Sequence, residues 1–300
     1  MNALAVLPPL RQSYEGGTAA DTHRDLRALL EDAIVNAPRS LQRTIGPSEI
    51  GTDCEHCLAA KIAGWEQTRE GVAWLPFVGT AVHAEHERLV IEHENRRTCG
   101  NTTGSRRYLV EERVNVGTIG GVEISGSCDL FDIATGTTVD WKITGATTLR
   151  SARSGPSPVY RVQAHLYGRG LAAAGHTVKH VSIVYLPRNS AGGWADAVLW
   201  SEPYQEQIAL DALARADRLH TNMTALQAGL GDQARDAWIS SLPRAAGCYS
   251  CARYPDFPTP AADATLGGLL TPPTRAGPPD SNPPTPEGAP PCPPPPRTAS

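Results

Sequence analysis

Lysine is nearly missing from this chain. Of 27 basic residues, only Lys61, Lys142 and Lys179 are lysine. Positive charge is short overall as well: 31 acidic residues leave a formal net charge of -4. That excludes a global electrostatic pull toward nucleic acid. Any nucleic-acid contact must come from a local basic surface, or from metal ions that neutralise a site. No apolar run approaches the roughly 18 residues a spanning helix needs. The N-terminal stretch Met1–Leu10 lacks a basic leading region and is broken by Pro8 and Pro9, which argues against a signal peptide. These absences point to a soluble, cytoplasmic protein with no membrane partner. There is no P-loop, so the chain has no ATP-driven motor of its own. A G-x-S-x-G elbow and an RNP aromatic pattern are also absent. The stretch His83-Ala-Glu-His86-Glu87 is not a zinc-protease helix, because Val90 stands where the second histidine is needed. No internal repeat is present.

What the chain does contain is sufficient for a core. Its 300 residues are 40% apolar, enough for one large domain or two small ones. The first 20 residues read as a flexible lead-in. Residues 21–37 carry Leu26, Leu29, Leu30, Ala33 and Ile34 at helical spacing, with Pro38 as the stop. Short helical patterns follow Cys57 and run from about Val78 to Glu94. The period then changes. Residues 108–116, 122–133 and 138–144 alternate as strands, separated by the turn signals Gly120-Gly121 and Thr135-Gly136. An antiparallel meander is expected. Residues 157–174 return to a helix, Val178–Leu186 reads as a strand, and Trp194–Trp200 reads as its partner across Gly192-Gly193. A long helix fills 203–229. From 258 to 300 the chain holds fifteen of its 26 prolines. Such a segment buries too little surface to offset its ordering entropy, so a disordered tail is predicted.

The meander carries the chemistry. Asp129 closes one short apolar run, and Asp140-Trp141-Lys142 lies inside the next. Asp140 and Lys142 at i and i+2 leave the same face of a strand. Paired carboxylates suit hard divalent Mg2+ or Mn2+. A neighbouring lysine could orient a water or stabilise charge on a phosphoryl transition state. In a chain that writes arginine nearly everywhere, a lysine there invites a chemical explanation, because a compact ammonium differs from a guanidinium. A same-face salt bridge explains D-x-K equally well when it stands alone. Upstream, His83 sits on an amphipathic helix. Downstream, Gln163 and Tyr167 lie one helical turn apart on a face shared with Tyr160.

In the order His83, Asp129, Asp140-x-Lys142, Gln163-x-x-x-Tyr167, these residues resemble the RecB-like branch of the PD-(D/E)XK nucleases. The resemblance covers roughly Gly79 to Tyr167. It implies a restriction-endonuclease-like α/β fold, with a mixed central sheet flanked by helices. It implies Mg2+ or Mn2+ on His83, Asp129, Asp140 and the main-chain carbonyl of Trp141. Lys142 is implied as the catalytic lysine, with Gln163 and Tyr167 arranging the site and its DNA. Glu112 is a further carboxylate candidate, and Asp132 reads as a surface acid facing away. The implied activity is metal-dependent DNA exonuclease, with nuclease or recombination proteins as further partners. A structure-specific endonuclease or resolvase, or a non-catalytic DNA-binding protein, stays open.

Seven cysteines, an odd number, do not suggest a secreted disulfide framework. Cys54-x-x-Cys57 precedes the nuclease-like stretch and Cys248-x-x-Cys251 follows it. Four soft ligands suit tetrahedral Zn2+ or an iron–sulfur cluster, and a shared metal would staple the two flanks together. In layout this is similar to the CRISPR-associated RecB-like exonucleases, which implies a [4Fe-4S] cluster. That family splits its cysteines one and three, whereas here the split is two and two, so zinc remains the alternative. Cys99, Cys128 and Cys292 read as ordinary residues. The expected organisation is a lead-in over 1–20, a nuclease domain with its four-cysteine metal staple over 21–257, and the tail over 258–300.

Overall fold

The computed structural model describes residues 17–37, 44–68, 71–98, 106–254 and 256. Most of the expected lead-in, the whole Pro-rich tail, Cys99 and Cys292 lie outside them. Among the described residues, no helix is long and apolar enough to cross a membrane. The chain divides into two compact units: residues 1–42 with 70–77, and residues 43–69 with 78–300.

The first unit contains helix α1, Ala19–Val35. Thr18 caps it with a reciprocal capping box: its hydroxyl accepts from the Asp21 amide, and the Asp21 carboxylate accepts from the Thr18 amide at 2.8 Å. The unit also holds the opening turn of helix α4, Trp74–Thr98, where the Trp74 and Phe77 rings lie 5.6 Å apart. This helix starts one turn earlier than its sequence suggests. Gly79 reads as a start signal but sits inside the helix, facing open space, where a glycine costs only about 0.5–1 kcal/mol.

The second unit is built on one five-stranded mixed sheet flanked by helices, the α/β arrangement that was expected. Its strands are β1 (Tyr108–Ile119), β2 (Val122–Asp132), β3 (Thr137–Thr144), β4 (His180–Pro187) and β5 (Val198–Pro203), and they lie in chain order across the sheet. The first three form the predicted antiparallel meander. Gly120 and Gly121, with φ of 59° and 78°, make the two-residue turn between Ile119 and Val122. Both positions need positive φ, which glycine adopts without steric cost. β4 then pairs parallel to β3, and β5 antiparallel to β4.

A parallel pair needs a crossover, supplied here by helix α5 (Ala146–Ala152) and helix α6 (Pro158–Ala173). α6 begins at a Ser157 cap with Pro158 in its first turn, a favourable start for a helix. It packs on β1, β3 and β4, burying Leu166 and Leu171 completely. Each such leucine stabilises the fold by roughly 1.5–3 kcal/mol. A half-buried network ties it to β5. Arg161 donates to both oxygens of Glu202, at 2.6 and 3.0 Å, and His165 Nε2 lies 2.6 Å from the same carboxylate.

Helices α2 (Pro47–Ile50) and α3 (Glu55–Ile62) precede the sheet, and α7 (Glu206–Leu230) and α8 (Asp232–Ser241) follow it. α7 packs on α6 and β1, while α3 packs on α7 and α8. Gly126 of β2 is required by close approach: a Cβ there would meet Pro47 at 2.8 Å and Tyr167 at 3.3 Å. The expected strand from Trp194 is shorter than predicted. Gly193–Asp196 forms a 3-10 turn, and β5 begins at Val198.

Candidate active site

The site forms where β2 and β3 part. Their ladder ends at the pair Leu130 and Val139. Beyond it, a continued ladder would have supplied Trp141 with a main-chain partner. Instead the Trp141 amide donates to Asp129 Oδ2 at 2.7 Å. The local sequence thus turns a strand end into a carboxylate holder. The other oxygen, Asp129 Oδ1, lies 3.4 Å from His83 Nδ1 on α4. Burial works against protonation of His83, but its bond to Asp129 holds its pKa above the ordinary value.

Asp140 and Lys142 leave the same face of β3, as their spacing requires. Asp140 Oδ2 is 2.7 Å from Lys142 Nζ. This is a charge contact without hydrogen-bond alignment, since that buried oxygen accepts no hydrogen bond. Gln163 of α6 bridges the pair. Its Oε1 accepts from Lys142 at 3.0 Å, and its Nε2 donates to Asp140 Oδ1 at 3.1 Å. Tyr167, one turn on, lies 3.4 Å from the same Nε2. Lys142 Nζ also stands 4.7 Å from the centre of the Tyr160 ring, within cation–π range. Burial pushes the Asp140 carboxyl up to about 6, against the pull of Lys142. Burial likewise raises Tyr167.

Two clusters result. His83, Glu111 and Asp129 offer ligand atoms that all lie within 4.8 Å of one another and could hold a metal. Asp140, Lys142, Gln163 and Tyr167 form a hydrogen-bonded group beside it. Asp140 stands in that second group rather than among the three converging atoms.

Glu111 is the residue that sequence reasoning missed. The run Glu111-Glu112 offered two carboxylates, and strand alternation alone cannot choose between them. Glu112 pairs opposite Cys128 in the ladder. Glu111 has φ of 50°, the single positive-φ non-glycine among the described residues. A non-glycine residue held there stores of order 1–3 kcal/mol and clusters at functional sites. No sequence signal marks such a backbone.

Asp132 was expected as a surface acid, and the structure corrects this. It is buried, 7% exposed, and paired with Arg107, which donates to its two oxygens at 3.0 and 2.8 Å. The side that faces away from Asp140 is not solvent there. Asp132, Leu130, Val139 and Trp141 line a cavity of about 590 Å³ with Leu89 and Val90 of α4. Nearby, the half-buried His86 ring stands edge-on to Trp141 at 5.1 Å.

The four motif cysteines do converge. Cys54, Cys57, Cys248 and Cys251 are free thiols whose sulfurs all lie within 4.8 Å of one another and could hold a metal. Cys54 Sγ lies 3.4 Å from Cys251 Sγ, and Cys57 Sγ lies 3.7 and 3.5 Å from Cys248 and Cys251. The two flanks are joined by more than sulfur. The His56 amide donates to the Pro243 carbonyl at 3.3 Å, and the Thr68 amide to Arg253 at 2.8 Å. Arg215 of α7 donates to the carbonyls of Ile50 and Thr52, at 3.0 and 2.5 Å, and so steadies the approach to Cys54.

The thiols differ electrostatically. Burial would raise Cys54, but amides of Cys57 and Ala245 hold it below the usual thiol range. Burial pushes Cys57 far up and Cys251 up to about 11. Fully buried His56 sits beside the cluster, with Nδ1 3.8 Å from Cys57 Sγ and Nε2 3.5 Å from Asp256. Cys128 is buried in the core with its pKa raised by burial, as fits an inert thiol.

No family model matches the chain, and no curated protein matches it. Among solved structures it is similar to the alkaline exonuclease LHK-Exo from Laribacter hongkongensis. That likeness has 12% identity and a TM-score of 0.38, over 66% of this chain and 93% of that one. The same enzyme in complex with dAMP is similar at 13% identity and a TM-score of 0.36, over 62% and 92% of the two chains.

Proposed function

We propose that the chain is a metal-dependent deoxyribonuclease of the PD-(D/E)XK type, RecB-like in its motif order, acting as an exonuclease on single-stranded or end-bearing DNA. One observation carries the reading: a three-residue ligand set of imidazole and carboxylates lies directly against the Asp140–Lys142–Gln163 network. Neither feature alone requires nuclease chemistry. An acidic cluster can be solvated surface, and D-x-K can be a salt bridge.

The donor set fits the ion. Carboxylate oxygens suit Mg2+ and Mn2+, and the imidazole nitrogen leans toward Mn2+. His83, Glu111 and Asp129 would hold it, with Asp140 and the main-chain carbonyl of Trp141 as further ligands. A bound divalent ion supplies Lewis acidity toward the phosphodiester and lowers the pKa of its water.

The remaining work belongs to the chain. The Trp141 amide fixes one Asp129 oxygen, so that carboxylate has one orientation. Gln163 fixes Lys142 and Asp140 relative to each other. Its carbonyl accepts from the ammonium, and its amide donates to the carboxylate. Lys142 is thereby aimed as a positive donor at the place where phosphoryl charge develops, a preorganised arrangement that needs no reorientation during reaction. Tyr167 closes the far side of Gln163.

For the cysteine cluster we favour mononuclear Zn2+ over the expected [4Fe-4S] cluster. Zn–S bonds of about 2.3 Å set tetrahedral sulfur–sulfur edges of about 3.8 Å. The observed separations of 3.4, 3.7 and 3.5 Å match that edge. In a four-iron cluster each thiolate binds a different iron, and the cluster body holds the sulfurs further apart.

The functional test pairs end-labelled linear DNA with covalently closed circles in Mn2+. Degradation of the linear substrate alone is expected. Cutting of the circles would make the enzyme an endonuclease. No Mn2+-dependent cleavage at all would favour a binding protein with a structural metal.

A further inference from the structure

A cavity of about 320 Å³ opens beside Lys142. It lies between α5, the start of α6 and β4, and its walls include Thr148, Ser151, Ala152, Tyr160 and Tyr185. Its size falls at the lower end of the range for small-molecule sites. Tyr160 joins it to the candidate active site, because the ring that lines the cavity also stands 4.7 Å from Lys142 Nζ.

Tyr185 is its floor. The side chain is 1% exposed, and its hydroxyl is buried without a hydrogen-bond partner. A buried hydroxyl left unpaired is costly, and this one belongs to a residue that lines the cavity. The two tyrosine rings lie 6.2 Å apart at 52°. An occupant there meets aromatic faces, one buried polar group at the floor, and threonine and serine hydroxyls on the α5 side. On α5 and its end, Arg150 and Arg153 are exposed. The walls thus suit a flat, polar-edged ring, and exposed arginines on the helix that forms one wall suit an anionic backbone passing outside it.

We propose that this cavity is a nucleobase subsite, which takes the base of a nucleotide adjoining the cleaved phosphate. The claim rests on the nuclease reading and deepens it. A base that enters must be unstacked and unpaired, so the subsite selects single-stranded or frayed DNA. Tyr160 stacks the base, and the Tyr185 hydroxyl meets its edge.

The test is an abasic scan. Oligonucleotides carry one abasic unit at successive positions around the cleaved bond, and wild-type cleavage is measured in Mn2+. Slowing of about tenfold or more at one position is expected, from the loss of one stacked base. Ser151→Trp, at an exposed position on the cavity wall, should slow intact DNA by a similar factor and leave the abasic substrate unaffected. Photocrosslinking with 5-iododeoxyuridine in buffer without Mn2+ or Mg2+, and without a chelator that would strip the cysteine cluster, reads the subsite without catalysis, and Tyr160 is the expected adduct. A flat abasic scan in an enzyme that cuts, or crosslinks confined to residues outside the cavity, would overturn the subsite and leave the nuclease reading intact. A crosslink to Tyr160 in a protein that cuts no DNA would uphold the subsite and remove the nuclease reading.

Discussion

The two candidate metal clusters are built in opposite ways. The cysteine cluster draws its ligands from two short C-x-x-C pairs, Cys54 and Cys57 fully or nearly buried, with His56 and Asp256 behind them. Four sulfurs close it, and no position is left for substrate, as in structural sites. The His83–Glu111–Asp129 cluster draws one residue from each of α4, β1 and β2, and all three are half-buried or nearly so. It offers three ligands, sits beside a lysine and includes a strained backbone at Glu111. A closed soft site stabilises. An open hard site reacts, and the fold holds it together from outside. The difference predicts that removing ligands should damage stability at one cluster and activity at the other.

The largest effect should follow Cys57→Ser. Structural zinc sites contribute roughly 10–16 kcal/mol of binding free energy in small zinc domains, comparable to the whole stability of a typical fold. The variant should lose stoichiometric zinc and most of its cooperative thermal transition. A variant with unchanged melting and metal content would show that the staple is not a metal site. Elemental analysis of the wild type separates the ions: one zinc and no visible absorption is expected, whereas iron with sulfide would restore the cluster assignment.

The opposite pattern is expected for Asp129→Ala. Nuclease activity should fall by about a thousandfold, the upper end of the scale for losing a preorganised charge-stabilising group, while zinc content and melting stay near wild type. A parallel loss of stability would collapse the distinction between the clusters. Lys142→Arg should cost less, about a hundredfold, because a guanidinium lacks the compact ammonium geometry that Gln163 and Asp140 grip. Activity equal to wild type would show that charge alone suffices at that position.

The same contrast explains what was legible in the sequence. Cys54, Cys57, Cys248 and Cys251 were readable because their ligands come in local pairs whose spacing is the signal. Asp140 and Lys142 were readable because a strand repeats every two residues. The meander was readable from Gly120-Gly121 and Thr135-Gly136. Glu111 was not, because the register between β1 and β2 shifts between Asn115 and Gly117, and only that shift brings Glu111 rather than Glu112 opposite Asp129. Asp132 was misread because alternation gives a face but not what covers it. Here α4 lies over that face and Arg107 reaches the carboxylate. The α5 segment carried no long apolar period, so the wall of the cavity beside Lys142 could not be anticipated.

Asp132 supplies the smallest expected effect and a control for the comparison, since it belongs to neither cluster. The Arg107 guanidinium, with help from Thr135 and the Ala134 amide, holds its carboxyl below the ordinary range despite burial. A carboxyl with a lowered folded-state pKa stabilises the protein above its unfolded pKa, and the contribution is lost as pH falls through the folded value. Asp132→Asn should therefore cost about 1 kcal/mol at neutral pH, a figure kept small because Arg107 is half exposed and screened by solvent. The gap between wild type and variant should narrow steadily below about pH 4, the range of unperturbed aspartate. Denaturant melts at several pH values would check both the size and the sign. A gap that widens on acidification would mean that the neutral carboxyl is the stabilising form. In that case the ion pair with Arg107 is not what keeps this acid buried against α4, at the back of the strand that carries Asp140 and Lys142.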